Sequence, residues 1–265
     1  WAAVFGNAIA GVSIISCAKT MMGEVFGAAL PAVVTGGFAT GYVASLSAAN
    51  GGGRFAWATI SDFIGRKQSY FVFGLGIPVA VSIPYVTGMV TAATAGGAMT
   101  PLYLFYGGTF MVVSFYGGLF SVLPAYIADT FGIKHAGAIH GRLLTAWAAS
   151  ALVGPSILTS LRGSSYEQAC IDLAAKCNPQ LFEEKFGAGV GELQALVDAK
   201  TVTISRLLEI LPAGTLDPTP AIYDSTMYTM AGIMGCAVVC NALIKPFPAG
   251  SPHFHKEEEA GAEQK

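Results

Sequence analysis

Acidic and basic side chains are scarce between Trp1 and Leu161. Lys19, Glu24, Arg54, Asp62, Arg66, Lys67, Asp129, Lys134 and Arg142 make up the set. Four of them fall in one short stretch, Asn50–Lys67, with the sequence NGGGRFAWATISDFIGRK. Asp62 lies four residues before Arg66, with Gly65 between, a placement in which an aspartate can cap free helix N–H groups and favour the positive helix end. Arg66 and Lys67 can then meet interfacial water and anionic headgroups. Other chemistries lack their residue patterns. Gly51-Gly52-Gly53 is followed by no Lys-Ser/Thr at phosphate-loop spacing. His135, His140, His253 and His255 are not joined to a third metal ligand, and the latter pair reads as part of a solvated tail. The sequence predicts no enzyme, no metal and no cofactor.

The elements that must carry these charges are apolar. The chain is 53% hydrophobic and 11% charged, with mean hydropathy +0.58, against about 25% charged residues in a soluble domain. A net charge of −2 argues against a nucleic-acid partner. The expectation is an all-α, multi-pass integral membrane protein. Six segments reach the roughly 20 apolar residues that a bilayer span needs: Trp1–Thr20, Ala28–Asn50, Ser69–Val90, Pro101–Leu123, Ala138–Leu161 and Ile222–Ile244. Pro31, Pro78, Pro84 and Pro155 fall in or beside spans and predict kinks. Trp1 already stands inside an apolar run, so the chain reads as a truncated or processed product.

Basic residues in the short loops orient the spans. Arg54, Arg66 and Lys67 share the second loop and Lys134 the fourth, which places those loops in the cytoplasm, or the matrix or stroma of an organelle. Plasma membrane and organelle inner membrane both remain open. Residues 1–161 then hold five spans, 162–221 an extramembrane helical insertion, 222–244 the sixth span and 245–265 a polar tail. Within the insertion, Ser164 and Glu167 form a capping-box pattern that predicts a short helix over Tyr166–Lys176. Gly191–Ala199 and Val202–Leu211 look helical too, the latter ended by Pro212. Cys17, Cys236 and Cys240 lie in spans, whereas Cys170 and Cys177 could form a local disulfide on an oxidising side.

The stretch SDFIGRK resembles the cytoplasmic-loop signature of the major facilitator superfamily, G-x-x-x-D-R-x-G-R-R/K. Ala58 stands at the first glycine position and Phe63 at the basic position after Asp, as suits the weaker second-half copy. The prefix around Asn50, Gly53 and Arg54, and the later Leu123–Pro155, resemble the oxalate/formate antiporter-like branch, close to monocarboxylate transporters. The resemblance implies that the six spans are helices seven to twelve of a twelve-helix transporter. Gly53, Arg54, Asp62, Gly65, Arg66 and Lys67 would form the gating turn, and the partner would be an N-terminal six-helix half.

In the resembled branch, basic residues of the eighth and eleventh helices hold carboxylate substrates. Here the span Ala28–Asn50 has no Arg or Lys, and Trp147 stands at the eleventh-helix position, so that two-cation site is not reproduced. Asn7, Tyr42, Tyr106, Tyr116, Arg142 and Trp147 are the candidates for a substrate cavity. The functional expectation is alternating-access transport of a small organic anion. The rival expectation is a non-transporting structural subunit of a larger membrane complex.

Overall fold

Helix α1 (Ala2–Phe26) runs through the middle of the bundle, and glycines let its neighbours approach it. A Cβ on Gly6 would lie 2.7 Å from Ala237, one on Gly11 2.3 Å from the Tyr116 Cβ, and one on Gly154 2.5 Å from the Ser13 hydroxyl. These contacts bring α1 against α10 (Asp224–Leu243), α5 (Met99–Phe131) and α6 (Ala136–Ala174). The computed structural model describes residues 1–92 and 97–246. The histidines and acidic run of the tail, His253, His255 and Glu257 to Glu259, lie outside the described residues. Among those described, every regular element is helical.

Five helical stretches are long and apolar enough to cross a membrane: Ala2–Phe26, Arg66–Ala92, Met99–Phe131, Ile133–Ala174 and Thr219–Leu243. The second expected span differs. Helix α2 (Gly36–Ile64) has 29 residues, about 44 Å at 1.5 Å per residue, but its glycine, serine and asparagine content makes it less apolar than the others. It also passes straight through Gly51-Gly52-Gly53, where the sequence predicts an end. Tertiary contact offsets the poor helix propensity of glycine there. A Cβ on Gly53 would sit 2.2 Å from the Ser114 carbonyl oxygen, and one on Gly117 2.1 Å from that of Asn50. The missing side chains are what allow α2 and α5 to touch.

The third expected span is interrupted between α3 (Arg66–Phe73) and α4 (Gly76–Ala92). Pro78 has no N–H to offer the Gly74 carbonyl four residues back. That carbonyl is taken instead by the N–H of Ile77 at 2.9 Å, in a tighter turn. Pro84, Pro124 and Pro155 sit inside α4, α5 and α6 without ending them.

Helix α6 overturns the boundary expected near Leu161. It continues unbroken through Ser164 and Glu167 to Ala174, 39 residues and about 58 Å. The capping-box residues lie mid-helix, because extending a formed helix costs less than nucleating a new one. On the projecting end pack α7 (Pro179–Phe186), α8 (Leu193–Asp198) and α9 (Ile204–Leu208). Phe182, Leu193, Val202, Ile204 and Leu207 are buried and continuous with the core of α1 and α5. Cys170 and Cys177 are both free and buried, so the disulfide is not formed. Cys170 lies in the last turns of α6 and Cys177 just beyond its end, each buried separately in the core. Burial pushes the Cys177 thiol above its ordinary pKa.

Candidate functional site

Two turns that share an Asp-x-x-Gly-x-Lys pattern meet at one end of the bundle. Asp62-Phe63-Ile64-Gly65-Arg66-Lys67 joins α2 to α3, and Asp129-Thr130-Phe131-Gly132-Ile133-Lys134 precedes α6. Gly65 (φ 93°, ψ 149°) and Gly132 (φ 80°, ψ 160°) both adopt a backbone region that is nearly closed to other residues. This geometry explains the glycine at a fixed offset from aspartate in each turn. Arg66 pairs with Asp62 one helical turn back, donates to the Ser61 hydroxyl, and lies 3.8 Å from Asp129 of the other turn. Asp129 therefore faces across to Arg66, where the sequence suggests only local basic neighbours. Lys67 donates to the carbonyls of Ala242 (3.1 Å) and Ile244 (2.6 Å), closing the end of α10. Asn241 completes the junction, donating to the Lys67 carbonyl at 3.2 Å and accepting from the Tyr126 hydroxyl at 2.8 Å.

Asp62, Gly65, Arg66 and Lys67 thus stand together, as expected. Gly53 and Arg54 do not belong with them. Both lie inside α2, with Arg54 ten residues before Ile64, about 15 Å along the helix from the turn. There the Arg54 guanidinium carbon stands 5.3 Å from the centre of the Phe120 ring, a cation–π contact. Among the described residues no carboxylate lies within ion-pair distance of Arg54.

Around Phe120 an aromatic cluster joins three helices. Phe120 meets Tyr116 edge to face at 5.2 Å and Trp147 of α6 at 5.8 Å. The Trp147 indole N–H donates to the Tyr116 hydroxyl at 2.8 Å. That bond fills one lone pair of the phenol and leaves its O–H proton without an acceptor among the described residues. Trp147 keeps 39% of its surface exposed, and Arg54 is exposed too, so the cluster opens outward. The arrangement sets an exposed guanidinium, a donor suited to an oxyanion, beside an aromatic wall with the buried Tyr116 phenol behind it.

The other cavity candidates fall elsewhere. Tyr42 is buried against Tyr106 and donates to the Thr109 hydroxyl at 2.8 Å, while Tyr106 donates to Ser45 at 2.6 Å. Both tie α2 to α5. Asn7 donates to the Ala3 carbonyl of its own helix at 2.8 Å, and its side-chain oxygen is buried without a partner among the described residues. Arg142 is exposed near the start of α6. The enclosed void among Ser13, Ile83, Thr109, Thr226 and Met230 is about 20 Å³, room for one water and not for a substrate.

Two features escape the sequence reading. Phe120 carries no motif and is found only through its neighbours. At the opposite end, Arg162 of α6 pairs in a bidentate fashion with Glu24 of α1, its Nε donating at 2.9 Å. The Tyr223 hydroxyl donates to the same carboxylate at 2.5 Å. The sequence places Glu24 in a loop and Arg162 at the edge of an insertion, and nothing in their 138-residue separation links them. Comparison with known proteins gives no relative: no protein-family model, no curated protein and no solved structure matches the chain.

Proposed function

We propose that the chain is a multi-pass membrane protein forming one half of a secondary transporter for a small organic anion, with Arg54 as the anion-binding residue. One observation carries this reading. Among the described residues Arg54 is a cation without a counter-ion, about 15 Å from the nearer end of its helix, beside an outward-facing aromatic wall. Centred on a hydrocarbon core about 30 Å thick, the helix would place Arg54, four residues past its midpoint, about 6 Å from the midplane. A cation there costs about 2.5–3.5 kcal/mol on insertion scales, and such residues face a bundle interior or a water-filled cavity and serve function. The open side between α2 and α6 would then face a second six-helix half across a central cavity.

The paired turns support the second part of the proposal. Arg66 links Asp62 and Asp129, so a movement of α2–α3 relative to α5–α6 has to break or remake those contacts. We assign them to gating and Arg54 to binding. The test is exchange of a labelled small carboxylate across vesicles reconstituted with the native protein. Arg54→Gln should abolish exchange, and Asp62→Asn should slow it while leaving carboxylate binding in place. Exchange unaltered by Arg54→Gln would overturn the proposal.

A further inference from the structure

The cluster around Arg54 also restricts the kind of anion. Among the described residues it offers one positive charge. The next basic group toward the turns, Arg142, lies five residues before Trp147, about 8 Å lower along α6. The contacts that hold the cluster together join aromatic rings: Tyr116, Phe120 and Trp147, edge to face at 5.2 and 5.8 Å. Trp147 has already spent its only donor on Tyr116. A first carboxylate would find the exposed Arg54 guanidinium. A second carboxylate on the same molecule would meet the faces of Phe120 and Trp147, whose quadrupole is negative and which replace none of its lost water. A flat apolar body would instead find an aromatic surface matched to it.

Resting on the anion reading above, we infer that the Arg54–Tyr116–Phe120–Trp147 cluster selects monocarboxylates bearing an aromatic ring, and discriminates against dicarboxylates. Arg54 holds the carboxylate, while Phe120 and the exposed Trp147, oriented by its bond to Tyr116, take the ring.

The experiment is equilibrium binding of three probes to the native chain in nanodiscs, by calorimetry and by tryptophan fluorescence: acetate, benzoate and phthalate. Benzoate should bind at least about tenfold tighter than acetate, the ratio that one aromatic contact supplies. Phthalate should bind more weakly than benzoate. Phe120→Leu should bring the benzoate-to-acetate ratio toward one, a reading insensitive to how much of the variant is folded. Arg54→Gln should remove binding of all three. Equal affinity for acetate and benzoate, or tighter binding of phthalate, overturns the selectivity while Arg54-dependent binding leaves the anion reading standing. Failure of the native chain to bind any probe overturns both.

Discussion

Three consecutive glycines in α2 should respond to the same substitution with opposite signs. A Cβ added at Gly51 or Gly52 meets nothing within 4 Å. Alanine there replaces a residue that costs a helix interior about 0.8–1 kcal/mol, so Gly51→Ala and Gly52→Ala should each stabilise by up to about that amount. At Gly53 the same Cβ would lie 2.2 Å from the Ser114 carbonyl oxygen and 3.0 Å from its Cα. These are backbone atoms and cannot swing aside. Restoring ordinary contact requires α2 and α5 to part by about 1 Å, and overpacking of this kind costs about 1–3 kcal/mol. Net of the propensity gain, Gly53→Ala should destabilise by about 0–2 kcal/mol, leaving it below Gly52→Ala by about 1–3 kcal/mol. Reversible unfolding of the three single variants in one micelle system reads the differences. Equal stability for Gly52→Ala and Gly53→Ala would refute the close crossing of α2 and α5, and with it the placement of Arg54 beside Phe120.

Other perturbations reach different parts of the fold. Glu24→Gln leaves Arg162 without its charge partner. The two side chains are 25% and 28% exposed, so the loss falls between the fully buried and the exposed case, about 1–3 kcal/mol in thermal or denaturant unfolding, and Glu24→Gln/Arg162→Met should recover part of it. Gly65→Ala and Gly132→Ala each force a side chain into a glycine-only region, at about 1–3 kcal/mol, measurable by the same unfolding assay. Wild-type stability in either would count against the turn geometry. Cys170 and Cys177 should resist maleimide in the folded chain and give two free thiols after unfolding, with no mass change on reduction. Because burial raises the Cys177 pKa, its labelling in the folded chain should begin at higher pH than that of an ordinary thiol, and this difference should vanish on unfolding. On the cap, Lys185 donates to Glu209 at 2.8 Å and holds its carboxyl below the usual range. That contribution is present above the ordinary glutamate pKa and disappears as pH falls through the lowered folded value. Glu209→Gln should therefore flatten the acid limb of cap stability slightly.

The sequence makes the helices easier to read than their ends. Long apolar runs at Pro101–Leu123 and Ala138–Leu161 sit inside α5 and α6, but both helices extend well past them, because hydropathy registers the apolar middle of a helix and not its backbone. Helix α7 is absent from the sequence reading, although its start is a local signal: Asn178 before Pro179, with the asparagine side chain accepting from the Gln180 N–H at 2.9 Å. The turn at Gly65 was legible, since its chemistry is local. Glycines at 51 to 53 misled, because a run of glycines looks the same whether it ends a helix or admits a neighbouring one. Only the partner, Ser114 and Gly117 on α5, distinguishes the two, and it lies more than 60 residues away. That single boundary moved Arg54 from a surface loop into the body of α2.

The change matters because depth separates Arg54 from the other cations without a carboxylate partner in the bundle. Lys134 stands in a turn. Arg142 is six residues into α6, about 9 Å, and Lys19 is seven residues from the end of α1, about 10 Å. On the membrane reading, side chains that long reach the interface by snorkelling, and they carry no information about function. Arg54 is about 15 Å from one end of α2 and about 27 Å from the other, deeper than either of these. The remaining deep or half-buried cations are matched within the fold, Arg66 by Asp62 and Asp129, Arg162 by Glu24 and Tyr223. Among the described residues Arg54 meets only a ring, and on the membrane reading a ring face compensates a guanidinium by at most about 2 kcal/mol, well short of a carboxylate. The deficit is largest when no anion is bound, so the affinity of this cluster for a carboxylate should depend on it directly. Arg54→Lys keeps the charge but loses the planar fork, and should weaken carboxylate binding less than Arg54→Gln does. Equal loss in the two variants would mean that the guanidinium serves packing on Phe120 and not charge.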